Sequence, residues 1–129
     1  MKWLARYQDL AYALLRIVAG FLFLQHGLQK TFGLLGGKVA TTPLMQLAGW
    51  IELGAGTLIC LGFLTPWAAF LASGTMAVAY FKSHAPGGFW PIENRGSMAA
   101  LYCFVFLFLA ARGSGMLSID QLRGRRGRK

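Results

Sequence analysis

Apolar residues fill four stretches of this chain without alternation, at about 11–30, 44–64, 66–81 and 97–111, and the helix breakers collect between them. Each stretch is far longer than an ordinary strand and apolar all round, so each predicts a helix. Gly33, Gly36 and Gly37 with Pro43 mark the first connection, and Thr65 and Pro66 a tight turn. Pro86, Gly87, Gly88 and Pro91 forbid continuous helix through residues 82–96. Crossing hydrocarbon takes roughly 20 apolar residues, and the last two stretches are short for it. Tyr80 and Trp90 stand at their flanks, where aromatic residues extend a span into the headgroup interface.

The pattern predicts an all-α fold, a four-transmembrane-helix bundle occupying residues 1–129 as a single domain. Composition agrees. The chain is 56% hydrophobic and only 13% charged, where a soluble domain carries about 25% charged residues. Lys2 and Arg6 precede the first apolar stretch, but Arg16 and His26 lie inside it and no small-residue cleavage site follows, so it reads as a retained span rather than a leader. Cys60 and Cys103 each sit alone in an apolar run, which reads as two small buried hydrophobes.

Thirteen Lys and Arg against four acids give a net charge of +9. Arg123, Arg125, Arg126, Arg128 and Lys129 crowd a basic tail at 121–129. After an apolar run such a cluster fits the positive-inside rule better than nucleic-acid binding, so the expected partner is the lipid bilayer and no nucleic acid is expected. An even number of spans then puts both termini in the cytoplasm, and loops 31–43 and 82–96 outside.

Glu52 is a lone carboxylate in the second stretch, and an ionisable group there costs roughly 2.5–3.5 kcal/mol even on permissive insertion scales. Helical side chains lean toward their own N-terminus. Glu52 therefore leans outward and His26 inward, and the two are placed to meet in the outer half of the bundle. Arg16, near the cytoplasmic end of the first helix, is expected to snorkel to the inner interface, with a pair to Glu52 as the alternative. Lys30 reads as a headgroup anchor. Ala48, Gly56 and Cys60 share a face with Glu52, a small-residue stripe that predicts close helix approach. Glu52 reads equally well as a protonated structural carboxyl, and His26 as a packing residue. His84, Glu93 and Asn94 complete the candidate polar network, His84 on the Gly/Pro-rich loop and Glu93 with Asn94 opening the fourth helix. The spacing of His26, His84, Glu52 and Glu93 matches no metal motif, and no metal is expected.

LLRIVAGFLFLQHGLQKTFG at 14–33, GWIELGAGTLICLGFLTPWAAFLASGTMAVAYFKSH at 49–84, GGFWPIENRG at 87–96 and GSGMLSID at 113–120 together resemble the DoxX family of small membrane proteins. The resemblance implies a four-helix bundle of the bacterial inner (plasma) membrane, described as an oxidoreductase component. It also implies partners in a membrane redox complex, or a homo-oligomer. No redox cofactor motif is visible. Two readings follow: a redox-associated subunit with a quinone-type pocket in the outer half of the bundle, or a non-enzymatic small permease or scaffold subunit.

Overall fold

Helices account for every regular element, as the apolar runs predict. The structure, a computed structural model, describes residues 1–126, so Arg128 and Lys129 of the expected tail lie outside the described residues. Among the described residues there is no strand. A single turn α1 (Lys2–Ala5) leads into α2 (Gln8–Phe32). Then come α3 (Pro43–Leu61), α4 (Thr65–Ala79), the short α5 (Pro91–Asn94), α6 (Ser97–Arg112) and α7 (Ile119–Arg126). Between α4 and α5 the chain passes through a π turn, Tyr80–His84, and a 3-10 turn, Ala85–Gly87.

Local chemistry sets these boundaries and corrects the expected ones. Helix α2 starts three residues early, with Asp9 in its first turn, and ends where Gly33 turns left-handed at φ 66°. Thr42 caps α3, its Oγ1 accepting from the Met45 amide at 3.4 Å. That helix ends at Leu61 rather than at residue 64, because Gly62 adopts φ 68° and its amide and that of Phe63 turn back to Ile59 and Leu58. The second connection is accordingly Gly62, Phe63 and Leu64. Residues 93–95 do not open the fourth helix. They belong to α5, which Arg95 closes at φ 60°, and α6 begins separately at Ser97. Up to Arg126 the basic tail is helical, since Ser118 Oγ accepts from the Gln121 amide at 3.2 Å and starts α7.

Helix α2 packs on α3, α3 on α4 and α4 on α6; Phe23 and Phe106, 4.7 Å apart, join α2 to α6 and close the ring. Glycines bring α2 and α3 together antiparallel, backbone against backbone. A Cβ at Gly20 would fall 2.6 Å from the Cys60 nitrogen, and one at Gly56 the same distance from the Leu24 nitrogen. One at Gly27 would strike the Leu53 nitrogen. The stripe read on α3 does face its neighbour.

Size runs opposite to a soluble core. Ala68, Ala69, Ala72 and Ser73 of α4 are buried while Trp67 is 78% and Phe70 67% exposed, and Leu101 and Phe104 of α6 likewise point outward. Small residues inside and large apolar ones outside suit lipid, where close packing replaces the hydrophobic effect as the force between helices. Helices α2 and α3 are each long and apolar enough to cross a membrane.

Candidate functional site

Two buried charges mark opposite ends of the α2–α3 pair, 14 residues or roughly 21 Å apart along α2 at 1.5 Å per residue. At the first, Arg16 is fully buried. One guanidinium nitrogen donates to the carbonyls of Ile59 (2.8 Å) and Cys60 (2.9 Å), the other to those of Met116 (3.2 Å) and Leu117 (2.7 Å). The first two carbonyls lie in the last turn of α3, beyond the reach of its i+4 amides, and Ile59 O shares the Arg16 donor with the Gly62 amide. The other two belong to the segment after α6, which folds back beneath the α3–α4 turn, where the Asp120 amide donates to Gly62 O at 3.0 Å. Arg16 therefore neither snorkels to the interface nor pairs with Glu52. It is a clasp, and its planar fork matches four acceptors in a way a lysine cannot.

At the second, Glu52 is 1% exposed, and its Oε1 accepts from Lys30 Nζ at 2.6 Å. The expected His26–Glu52 hydrogen bond is not formed. His26 is half-buried and stands edge-on to Tyr102, ring centres 6.4 Å apart. The lysine reaches the carboxylate because the α2–α3 register puts Lys30 beside Gly49, about one helical turn before Glu52 on α3. Lys30 is thus the site residue that the sequence reading passed over as a headgroup anchor. The glycine contacts set that register: Gly20 lies against Gly56 and Cys60, Gly27 against Leu53, and Gly49 against Lys30.

One carboxylate oxygen remains unanswered. Glu52 Oε2 is buried with no hydrogen-bond partner among the described residues, and Thr31 Oγ1 nearby on α2 shares that condition. A buried acceptor without a donor is costly, and a ligand hydroxyl, amine or proton would relieve it.

His84, Glu93 and Asn94 do not join this pair. Asn94 is buried and organises the 80–96 segment, donating to Gly88 O (2.9 Å) and Tyr80 Oη (3.3 Å) while its Oδ1 accepts from the Gly96 amide (2.8 Å). His84 Nδ1 lies 3.2 Å from Asn94 O. Glu93 is exposed, and its side chain takes part in no hydrogen bond or ion pair among the described residues.

A helical chain that turns its large apolar side chains outward and buries a lysine–glutamate pair within its two longest apolar helices is a small helical membrane protein. It belongs to the DoxX family, whose sequence model matches residues 11–85. An uncharacterized protein of Haemophilus influenzae is 38% identical over 93% of this chain and 96% of its own length. An uncharacterized membrane protein of Mycobacterium tuberculosis is 30% identical over 87% of this chain and 80% of its own. No solved structure matches.

Proposed function

We propose that this protein is a multi-pass subunit of a redox complex in the bacterial inner membrane, with α2, α3, α4 and α6 as four spans and both termini cytoplasmic. It binds a small amphiphile at the Lys30–Glu52 end. The π turn supports counting α4 as a span, since it carries the helical path from Thr65 to His84, 20 residues and near the length hydrocarbon requires.

The observation that carries the ligand site is Glu52 Oε2, an acceptor held in a buried position with nothing to accept from. Its partner oxygen is fixed by Lys30, so the carboxylate is oriented before any ligand arrives. A reduced quinone fits this arrangement by chemistry. Its hydroxyl donates to Oε2, and its ring meets the half-buried Tyr102 beside His26.

Binding to the folded state stabilises it by mass action, roughly 2.7 kcal/mol at a hundredfold excess over the dissociation constant. A short-chain hydroquinone is expected to raise the melting temperature of the detergent-solubilised protein. Glu52→Gln, which replaces an acceptor-only oxygen by an amide, is expected to abolish the rise and leave the protein folded. If quinols and quinones shift neither form, the ligand site fails and the scaffold reading takes its place.

A further inference from the structure

The Arg16 end of the molecule carries a cavity that shares no lining residue with the Lys30–Glu52 pair and is independent of the reading above. It measures about 610 Å³ and lies where the start of α2 meets the end of α6 and the returning 113–121 segment. Arg6, Asp9, Tyr12, Arg112 and Gln121 form its polar lining, with Leu10 and Met116 beside them.

Both arginines are held in place yet largely unspent. The Arg112 guanidinium lies 4.3 Å above the Tyr12 ring and donates to Asp9 Oδ1 at 2.7 Å. That of Arg6 lies 4.7 Å above the Tyr7 ring and donates to Tyr7 Oη at 2.8 Å. Each guanidinium carries five N–H donors in a fixed fork, and among the described residues each gives a single hydrogen bond. Tyr12 makes a firm floor, being buried with its hydroxyl donating to Gly113 O at 2.5 Å. Two cations against one carboxylate leave the lining with an excess positive charge. Arg123, Arg125 and Arg126 follow Gln121 along α7 and add positive charge to this end of the molecule.

We propose that this cavity binds a phosphate group, with Arg6 and Arg112 sharing its oxygens and Gln121 at its edge. Paired guanidiniums match the planar, multi-oxygen face of phosphate, and stacking on tyrosine pre-orients both forks. An apolar path leaves the same site. Leu10 and Leu14 are exposed one turn apart on α2, and Trp3 and Leu4 are exposed on α1. That path suits the tail of a phosphodiester, so the phosphate has two sources, an anionic phospholipid headgroup or free phosphate.

Thermal unfolding in phosphatidylcholine mixed micelles distinguishes them, with phosphatidylglycerol or inorganic phosphate as the titrant. A rise in melting temperature with phosphatidylglycerol alone assigns the lipid, and a rise with inorganic phosphate assigns the free anion; either supports the site. The R6Q/R112Q variant is expected to need about tenfold more titrant for the same shift, the loss that follows from removing a charge-assisted contact. R125Q/R126Q removes two charges from the same end without touching the cavity and is expected to stay within about twofold. Should R6Q/R112Q prove unstable in the lipid-free baseline, R6Q alone carries the comparison, because Arg6 is exposed and its one hydrogen bond among the described residues is to its neighbour Tyr7. An equal loss in the two double variants, or no shift with either titrant, overturns the proposal in favour of a diffuse basic surface.

Discussion

Lys30 Nζ sits 2.6 Å from Glu52 Oε1, the lysine a quarter exposed and the glutamate nearly sealed. Taking the lysine away strands a carboxylate in a low-dielectric interior, whereas taking both away removes the problem. Lys30→Met is therefore expected to destabilise the protein by about 2–4 kcal/mol, toward the lower end because Lys30 keeps contact with its surroundings. The Lys30→Met/Glu52→Leu double variant is expected to recover most of that loss. A double-mutant cycle in detergent checks it, and additive effects would show that the pair is not coupled.

Arg16 serves a different purpose and answers to a different test. Its four carbonyl acceptors come from two segments 55 residues or more apart in sequence, so it fastens the 113–118 segment to the end of α3. Lysine keeps the charge but not the fork. Arg16→Lys is expected to cost about 2–3 kcal/mol, since at least two buried carbonyls lose their donors. Limited proteolysis should then cut first within 113–118. Cleavage unchanged from the wild type would sink the clasp.

Helix existence was legible in the sequence because long apolar runs admit few other structures in lipid, and the interior stripe around Glu52 followed from its small neighbours Gly56 and Cys60. Partner choice was harder. Side-chain lean placed Glu52 and His26 at one level, but the glycine contacts rotate and shift α2 against α3 so that Lys30, not His26, arrives at the carboxylate. Arg16 was misjudged for a related reason. Its acceptors include carbonyls freed by the early end of α3 at Gly62 and others brought back from beyond residue 112, and no local pattern reports a return of the chain. The resemblance did cover GSGMLSID, yet its structural role is visible only once Arg16 is seen holding it.

Close approach at Gly27 has a consequence for the ion pair above it. A methyl group there would meet the backbone of Leu53 and Glu52, 2.7 Å from Leu53 Cα, and backbone cannot rotate away as a side chain can. Gly27→Ala is expected to push α2 from α3 and destabilise by about 1–3 kcal/mol. Gly54→Ala is the control, since a Cβ there meets nothing within 4 Å. A helical glycine with open space gains up to about 1 kcal/mol on becoming alanine. Opposite signs for two alanines on facing and outward sides of the helix pair are the expected result, read as melting temperatures in one detergent.

Asn94 holds the 80–96 segment by three bonds, to Gly88, Tyr80 and Gly96, and is buried while its sequence neighbour Glu93 is exposed. Asn94→Ala is expected to loosen the segment and cost about 2 kcal/mol, as buried partners at both ends lose their bonds. Glu93→Ala should leave stability within about 0.5 kcal/mol, the range of an exposed substitution. Hydrogen exchange at the Gly96 amide separates the two, because Asn94 Oδ1 is the acceptor that protects it. Faster exchange in Asn94→Ala alone is the expected pattern, and equal rates in both variants would remove Asn94 from its organising position.

The orientation rests on charge. Lys2, Arg6 and Arg112 lie at the Arg16 end with the basic residues of α7, while Lys82 and Arg95 mark the opposite side. In the orientation proposed above, which follows the bias of Lys and Arg toward cytoplasmic ends, α1 and α7 are expected inside and the 80–96 segment outside. Single cysteines at Ser83 and Leu122, both exposed, test this in a background where Cys60 and Cys103 are alanine. In intact cells an impermeant maleimide is expected to label the Ser83→Cys protein and spare the Leu122→Cys protein until the membrane is opened. The reverse order would invert the topology, and with it the sides of the membrane from which the arginine-lined cavity and the Lys30–Glu52 pair are approached. Equal labelling in sealed cells would place both positions on one face and break the four-span count itself, since α6 is the single proposed span between Ser83 and Leu122.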